Sequence, residues 1–321
     1  MRSAQLRRLG DAAILVAFVI ATCFVLIRVA PGDPFYPRLD DPAWTPERAA
    51  AQRAAFGYDE PIPVQFLYYV ARTITGDLGW SHSRNQPVAE ALATALPATA
   101  LLVGTALSLA FAVGILVGAW QGWRRESPLA RASESVTLVL LSVPEFLVAV
   151  FALMVPALAW QWFPTSGMRT PYGPDGVLGF VDRLHHLTLP AIALGLPIAA
   201  VVARLQASAM RDVRDAEFVR AARSRGLVDW LVLRQHALRN ALIPVLTYAG
   251  LQLSTALSGA VIVERLFSWP GMGRLIVDAV SARDYPLVAG GVLVAALCTV
   301  AGTALADLAL RWATPRLQAR A

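Results

Sequence analysis

The sequence predicts an all-α integral membrane protein with six transmembrane helices and both termini in the cytoplasm. Of its 321 residues, 56% are hydrophobic and only 16% are charged, whereas soluble domains are about 45–50% apolar and about 25% charged. Six apolar runs reach the length of about 20 residues that a helix needs to cross the hydrocarbon core. The connections between these runs alternate between arginine-rich and arginine-poor, which is typical of a multi-pass membrane protein.

The first apolar run could be read as a cleavable signal peptide. Its apolar stretch is long for a signal peptide, and no clear small-residue cleavage site follows it. Removing it would also break the alternation of charge between the connections, so we predict a retained helix. The six predicted spans are roughly 12–30, 97–120, 135–160, 187–208, 241–263 and 287–310.

The arginine distribution predicts the orientation of the chain. The N-terminus, the 121–134 connection and the C-terminal tail each carry several arginines, and residues 204–240 hold eight arginines against four acids. Residues 31–96 instead hold more acids than arginines. Positively charged connections stay in the cytoplasm, and an even number of spans then leaves both termini there.

The first long connection contains its own local structure signals. PGDP at 31–34 stops the first helix at the membrane face, because two prolines and a glycine interrupt it. Thr45 followed by Pro46 has the pattern of a helix N-cap, and predicts a short helix that ends near Phe56. Residues 61–69 combine prolines with aromatic side chains and predict an amphipathic segment on the outer interface.

Composition also excludes several activities. All 28 basic residues are arginine, so the chain cannot contain a Walker A loop, whose lysine contacts the nucleotide phosphates. Cys23 and Cys298 lie in apolar runs and are predicted to be buried hydrophobic side chains, not disulfide or metal ligands. Neither a GxSxG elbow nor an HExxH helix occurs, and no nucleic-acid partner is expected. The chain is therefore predicted not to be an enzyme.

The 211–240 connection predicts a helix–glycine–helix elbow on the cytoplasmic side. Residues 211–225 read as one helix, and Gly226 is a natural C-terminal stop for it. A second helix should run from 228 to 240 and lead into the next span. The elbow is rich in arginine, which a loop held by anionic lipid headgroups would also show.

The surface of the elbow favours a protein partner over lipid alone. Arg214, Glu217 and Arg220 lie three residues apart and should stack on one face of the helix. Ala221 and Ala222 have very small side chains, so another backbone could approach closely. A lipid-binding loop needs only charge, and these small residues would be superfluous for it.

AARSRGL followed by RQHALRNALIP resembles the "EAA" loop of ABC importer permeases, and in particular the dipeptide/oligopeptide/nickel branch of that superfamily. The likeness extends along nearly the whole chain and implies the type I ABC importer permease fold. It also implies an N-terminal transmembrane helix and an extracytoplasmic segment at 1–96. A transmembrane domain of five helices would follow at 97–321, with the ATPase-coupling loop at about 211–240. The other matching stretches, in order, are RVAPGDP, FGYDEPIPVQFLYYV, TGDLGWSHSRNQPV and ERLFSWPGMGRLIVDAVSARDYPLVAG.

In that family the elbow is a coupling helix that sits in a groove of a separate ATPase. The sequence departs from the family where Arg220 replaces the glutamate before the two alanines. It departs again after the glycine, where Val228, Trp230 and Leu231 replace the capping serine and basic residues of many relatives. Trp230 is either an apolar anchor in the ATPase groove or an interfacial tryptophan. The residues that the resemblance assigns to ATPase docking are Glu217, Arg220, Ala221, Ala222, Gly226, Trp230, His236, Arg239 and Asn240.

The resemblance implies the partners and the reaction. The chain would be the first permease of a heterodimeric pair in a bacterial inner membrane. It would work with two cytoplasmic ATPases and an extracytoplasmic solute-binding protein, and would import short peptides or a related solute. ATP and Mg²⁺ would bind the ATPases, and no cofactor would bind this chain. The alternatives are an ion-gradient-driven secondary transporter and a membrane sensor or assembly protein with a docking loop.

Two sets of polar residues inside the spans are candidates for the translocation path. Glu145 is an acid in an apolar span, where a charge costs roughly 2.5–3.5 kcal/mol. It either attracts a cationic group of the solute or lies solvated near the end of its span beside Pro144. A polar stripe on the fifth span either lines the path or bonds neighbouring helices. This stripe comprises Gln252, Ser254, Thr255 and Ser258.

Two further features are the turn around Trp269 and the histidines. The turn around Trp269 either contacts a partner on the outer side or only shapes the helix bundle. His185 and His186 are adjacent, but consecutive residues do not face one ligand on a helix, and no third ligand has suitable spacing. With His82, they are predicted to be loop histidines, and no metal site is expected.

Overall fold

The computed structural model describes residues 2–29, 47 and 60–313, and this part of the chain is mostly helical. The predicted stop at 31–34 and the predicted helix from Thr45 to Phe56 fall, except for residue 47, outside the described residues. The helices are α1 (Arg2–Val29), α2 (Ile62–Ile74), α3 (Val88–Trp123), α4 (Pro128–Ser142), α5 (Glu145–Ala152), α6 (Gly176–Arg214), α7 (Glu217–Ser224), α8 (Asp229–Leu231), α9 (Leu238–Ala241), α10 (Ile243–Leu266), α11 (Met272–Ser281) and α12 (Tyr285–Ala313).

Most of the predicted spans coincide with long helices. Within the described residues, four helices are long and apolar enough to cross a membrane, and one bent helix pair adds a fifth if it counts as one span. The remaining predicted span, 241–263, is helical as α10 but does not meet that criterion over its described residues. α3 has 36 residues and α6 has 39, so each is well over 50 Å long at about 1.5 Å per residue and exceeds the hydrocarbon thickness.

The third predicted span, 135–160, is not one continuous helix. α4 ends at Ser142, and the chain turns through Val143 and Pro144 before α5 begins, with a bend of 102° between the two parts. Proline cannot donate a backbone hydrogen bond and disfavours helical geometry at the residue before it, which explains the break. α5 continues into a π-helical segment, Leu153–Ala159, that contains Pro156.

The described residues fall into two compact units. The first is drawn from Met1–Pro97 and Leu275–Val300, and the second from Ala98–Arg274 and Ala301–Ala321.

In the first unit, Asp284 fixes a short β-hairpin. Strands β1 (Trp80–Ser81) and β2 (Gln86–Pro87) pair antiparallel. The buried carboxylate of Asp284 accepts hydrogen bonds from Ser81 Oγ at 2.7 Å and from both the backbone N–H and Oγ of Ser83. A buried carboxylate needs such donors to offset its desolvation. Asp284, the residue that precedes α12, therefore attaches the hairpin to the start of that helix.

The second unit is organised around the contact of α3 with α6. Gly114, Gly118 and Gly122 recur every four residues along one face of α3 and lie against α6. A Cβ at Gly114 would come within 2.7 Å of the carbonyl oxygen of Ala199, and one at Gly122 within 2.6 Å of that of Ala207. Any side chain at these positions would collide with the backbone of α6, so only glycine permits this approach. Small residues are typical where two membrane helices pack backbone to backbone. We call these three residues the glycine row.

Replacing Gly118 with alanine is expected to destabilise the protein. The added Cβ would collide with the backbone carbonyl of Ala203, and overpacking of this kind costs typically about 1–3 kcal/mol. The thermal unfolding midpoint of the purified protein in detergent should therefore fall. Gly104→Ala on the same helix is the matched control, because nothing lies within 4 Å of a Cβ there. Equal midpoints for the two variants would contradict this account of the packing.

Candidate elbow and translocation residues

The elbow between α6 and α10 has the predicted helix–glycine–helix order, but its first helix is interrupted. α6 ends at Arg214, Asp215 caps it, and α7 begins at Glu217. The prediction of one helix over 211–225 is therefore wrong, and Arg214 does not stack on Glu217. Gly226 has φ +78°, the left-handed conformation that favours glycine, and it ends the helix as predicted.

The second half of the elbow leads into α10. It runs through α8, a π-helical segment at Val232–Ala237, and α9. π-Helical turns are rare and occur mostly as single turns inside α-helices. The prediction of a helix over 228–240 is confirmed in outline, and the π-helical segment is the difference.

The elbow has its own apolar core. Val219 and Ala222 of α7 are buried together with Val232 and Ala237 of the second half. Trp123, at the end of α3, belongs to the same cluster and is 4% exposed. Burial of these side chains away from water holds the two halves against each other and against α3.

A polar clasp ties the elbow to α3. Trp123 donates a hydrogen bond from Nε1 to Asp229 Oδ2 at 2.7 Å, and Arg223 donates from Nη2 to Asp229 Oδ1 at 3.0 Å. The guanidinium carbon of Arg223 also lies 4.9 Å from the centre of the Trp123 ring, a cation–π distance. These three side chains, one from α3 and two from the elbow, are called the clasp below.

The charge of Asp229 is stabilised in this position. Partial burial raises its pKa, but the hydrogen bonds from Trp123 and Arg223 outweigh burial, and the pKa lies below the ordinary 3.8. A carboxyl whose pKa is lower in the folded state stabilises that state above the unfolded value. The contribution of the clasp is therefore fully present at neutral pH and is lost as pH falls through the lowered pKa.

Ion pairs connect the end of α6 to the 124–134 segment. Arg211 Nη1 lies 2.9 Å from Glu134 Oε1, and Arg125 Nη1 lies 2.8 Å from Asp215 Oδ2. Arg214 makes a longer pair of 3.4 Å with a carboxylate of the same segment, Glu126. Exposed pairs of this kind contribute little individually, but together they fix which connection lies beside the elbow. In the sequence these arginines served as markers of orientation, and Arg214 also as part of a predicted stack with Glu217.

Four of the exposed residues of α7 lie near its N-terminal end. Glu217, Phe218, Arg220 and Ala221 are all exposed, so this surface carries one acid, one base, one aromatic ring and one small residue. We call it the α7 face. Ala222 points the other way and is only 6% exposed, so it packs inside the elbow and does not present its side chain to a partner. Phe218 was missed in the sequence, although it lies three residues before Ala221, a spacing that places two residues on the same side of a helix.

The remaining predicted docking residues spread over the second half of the elbow. Arg239 and Asn240 are exposed, and His236 is half-buried. Asn240 donates from Nδ2 to the backbone carbonyl of His236 at 2.8 Å. Trp230 is 64% exposed and lines a cavity beside α3. The assignment of these four residues to ATPase docking stays a prediction.

Glu145 occupies the break between α4 and α5. It is the first residue of α5, directly after Pro144. Its Oε1 atom is buried and has no hydrogen-bond partner in the described part of the chain. Gly259 of α10 lies opposite, where a Cβ would come within 2.7 Å of that oxygen. The carboxyl group thus lies between two helices. Its Oε1 atom could accept a hydrogen bond from a molecule outside the described chain.

The polar stripe of α10 is only partly described. Thr255 is exposed and donates from Oγ1 to the backbone carbonyl of Gln252 at 3.3 Å, and Gln252 is half-buried. The side chains of Ser254 and Ser258 lie outside the described part of the structure. The hydrogen bond of Thr255 is internal to α10, so it does not join two helices. It also gives no evidence that the stripe lines a path.

The turn around Trp269 shapes the bundle. Trp269 is fully buried and donates from Nε1 to the carbonyl of Ala98 at 2.9 Å. The buried carboxylate of Glu264 accepts from Thr99 Oγ1 at 2.6 Å and from the backbone N–H of Arg274 at 2.9 Å. Buried acceptors require such partners. The turn therefore helps to shape the bundle, and the side chain of Trp269 is not available to a partner. Glu264 is a structural residue that was not singled out in the sequence.

The two adjacent histidines lie in a helix and not in a loop. Both belong to α6, and His186 is buried with its Nδ1 at 2.9 Å from the carbonyl oxygen of Asp182. His185 Nε2 lies 2.8 Å from the carbonyl oxygen of Trp162. The prediction of loop histidines is wrong because α6 begins eleven residues before the predicted span. Among the described residues, no three His, Cys, Asp or Glu side chains gather in a metal-binding arrangement.

Comparison with known proteins gives the same family along the whole chain. Residues 110–319 match the family described as "Binding-protein-dependent transport system inner membrane component", and residues 1–103 match its N-terminal region. The dipeptide transport system permease protein DppB of Escherichia coli is 35% identical, over 98% of this chain and 98% of its own. The oligopeptide transport system permease protein AppB of Bacillus subtilis is 34% identical, over 97% and 98%.

A solved structure agrees on the fold. A chain of the MetNI methionine ABC transporter, in an inward-facing conformation, has a TM-score of 0.52. It covers 68% of this chain and 95% of its own length at 15% sequence identity. At this identity the similarity shows the fold alone, and the fold is that of a type I ABC importer permease.

Asp229→Ala is expected to loosen the elbow. It removes the acceptor shared by Trp123 and Arg223, and the loss of about 1 kcal/mol from such bonds corresponds to about fivefold more frequent opening. Hydrogen–deuterium exchange of the amides in α7 should be faster by about that factor. Asp212→Ala, which removes an exposed carboxylate of α6, is the control and should leave exchange in α7 unchanged. Equal protection in both variants would show that the clasp does not order the elbow.

Proposed function

Since this chain belongs to the family of binding-protein-dependent transport system inner membrane components, we propose that it is the permease subunit of an ATP-driven importer of short peptides. The observation that carries the proposal is the similarity to permeases of dipeptide and oligopeptide transport systems, which runs along nearly the entire chain. The chain forms the membrane path, and ATP hydrolysis belongs to separate subunits.

The proposed topology has six spans with both termini in the cytoplasm. The distribution of arginine supports it, because the N-terminal segment, the 124–134 segment and the elbow would all lie on the cytoplasmic side. The ion pairs between the 124–134 segment and the end of α6 support the same arrangement, since they join two connections that the charge pattern assigns to one side. The bent pair of α4 and α5 supplies the third span.

The proposed assembly contains a second permease, two cytoplasmic ATPases and an extracytoplasmic solute-binding protein. The family description supports the binding protein directly, because it defines a binding-protein-dependent transport system. ATP and Mg²⁺ bind the ATPase subunits, and this chain binds no cofactor of its own. Its absence of lysine supports that division, since a P-loop needs one.

Force enters through the α7 face and reaches the spans through the elbow. Glu217, Arg220 and Ala221 are exposed and would contact a groove of the ATPase, with Ala221 permitting close approach. Ala222 and Gly226 act inside the elbow, as a packing residue and as the bend. Trp230, His236, Arg239 and Asn240 flank this contact. Because the clasp and the buried cluster join α7 to α3, movement of α7 would carry both long helices with it.

Transport proceeds by alternating access. Closure of the ATPase dimer pushes the α7 face and opens the path outward, and reopening after hydrolysis releases the solute inward. In this proposal Glu145 lines the path together with the polar stripe of α10, which includes Gln252 and Thr255. The unpartnered oxygen of Glu145 supports the assignment, because it could accept a hydrogen bond from the protonated amine of a peptide.

Ala221→Trp is expected to weaken attachment of the ATPase. A bulky side chain on the α7 face prevents close approach, and a change of this size at the centre of an interface reduces affinity by about tenfold or more. Co-purification of the ATPase and uptake of labelled dipeptide would both fall. Ala132→Trp introduces the same side chain at an exposed alanine of α4 and should preserve both. Full attachment and uptake in Ala221→Trp would refute the docking site.

Glu145→Gln is expected to reduce uptake by raising KM. It removes the negative charge while keeping the shape, and a hydrogen bond to a charged group is worth about 1.5–3 kcal/mol, or roughly tenfold and more in affinity. Uptake should be measured for a free dipeptide and for the same dipeptide acetylated at its amine. The expected loss is confined to the free dipeptide. Unchanged uptake of both peptides would remove Glu145 from the path.

A further inference from the structure

A cavity of about 300 Å³ lies between the end of α3 and the second half of the elbow. Its walls are mainly apolar, with Leu116 and Trp120 on the side of α3 and Leu233 on the side of the elbow. Arg124 and Arg234 stand at the same cavity, one from each side, and both are exposed. Trp123 and Asp229 of the clasp also line this cavity, and no residue of the α7 face does.

The lining changes character in order along α3. Leu116 lies within the predicted span and is 71% exposed, Trp120 follows one turn later, and Arg124 follows after one more turn. The distance from Leu116 to Arg124 along the helix axis is about 12 Å at 1.5 Å per residue. Over that distance the surface passes from apolar to amphipathic to cationic, which is the order of acyl chain, interface and headgroup at a membrane surface.

The tryptophans support the same location. Trp120 and Trp230 face the cavity from its two sides, and Trp230 remains 64% exposed although it is a large aromatic residue. Tryptophan is enriched where hydrocarbon meets the headgroup region, because its ring is apolar and its N–H is a donor. An exposed Trp230 is therefore explained by contact with lipid at this level.

The charges at the cavity favour an anion. Asp229 also reaches the cavity, but its carboxylate already accepts hydrogen bonds from Trp123 and Arg223. The proximity of Arg124 contributes to the lowered pKa of Asp229. Among the lining residues, Arg124 and Arg234 carry two positive charges and Asp229 carries one negative charge, so the cavity has an excess of positive charge. Basic pockets between helices at the membrane surface are typical binding sites for anionic lipid headgroups.

We propose that this cavity binds one anionic phospholipid. Its phosphate lies between Arg124 and Arg234, and part of one acyl chain lies against Leu116 and Trp120. A lipid fits better than a protein partner, because the apolar wall continues into a helix that spans the membrane. The bound lipid touches α3 and the elbow together, so it would stabilise the arrangement that the clasp also holds.

The test measures lipid retained by the assembled transporter complex. The complex is purified from nanodiscs that contain equal amounts of phosphatidylglycerol and phosphatidylcholine, and the retained lipid is measured by native mass spectrometry. Arg124→Gln combined with Arg234→Gln should lower retained phosphatidylglycerol by about tenfold or more, since each arginine contributes to binding of an anionic headgroup. Arg124→Lys combined with Arg234→Lys preserves the charge and should keep most of it.

Two further variants separate a site from diffuse attraction. Arg131→Gln combined with Arg225→Gln removes two exposed arginines that do not line the cavity, and should retain the lipid as the unaltered protein does. Ala119→Leu fills the cavity from α3 without changing charge, and should reduce retention as the glutamine pair does.

Three results would overturn the proposal. Undiminished phosphatidylglycerol in the Arg124 and Arg234 glutamine pair would exclude a phosphate site there. An equal loss in the Arg131 and Arg225 pair would indicate diffuse attraction and no site. Loss of ATPase attachment with unchanged lipid in the Arg124 and Arg234 pair would assign the cavity to a protein partner. Each measurement is made on purified, fully assembled complex. Assembly of the variant with lysine at both positions is the control that substitution there does not prevent assembly.

Discussion

The backbone contact between α3 and α6 is the constraint on which the second unit depends. Within a bilayer, association of helices gains little from the hydrophobic effect, and close van der Waals packing must supply the attraction. The glycine row provides it by letting the carbonyls of α6 approach α3 where a methyl group would not fit. Because the elbow follows the end of α6 and Trp123 ends α3, the position of the elbow depends on this one contact.

Packing and hydrogen bonds join the elbow to α3. Its two halves share an apolar core with Trp123, and the clasp adds directional bonds through Asp229. Ion pairs then hold the 124–134 segment against the end of α6. A force applied to the α7 face would therefore be transmitted by packed side chains, which resist compression. The exposed arginines serve as much to arrange these contacts as to orient the chain in the membrane.

Buried carboxylates divide into two kinds in the second unit. Glu264 is satisfied by Thr99 and by a backbone N–H, and it stabilises a tight turn. Glu145 has a buried oxygen without a partner in the described residues and lies at a helix break. A satisfied buried group is expected in any stable protein, whereas an unsatisfied one calls for an additional donor. That contrast distinguishes Glu145 as a candidate for contact with the solute.

Hydropathy, arginine distribution and local motifs are properties of short segments, and they were enough to predict the helical membrane class, most span positions, the bend at Gly226 and the family. Which residues meet could be seen only in the folded chain. The burial of Ala222 and Trp269 and the pairing of Trp123 with Asp229 depend on residues that lie in other segments of the chain. The spacing of the glycine row was visible in the sequence, but its partner, α6, was not. Hydropathy reports how a segment interacts with lipid and water, and it contains no information about which other segment will cover it.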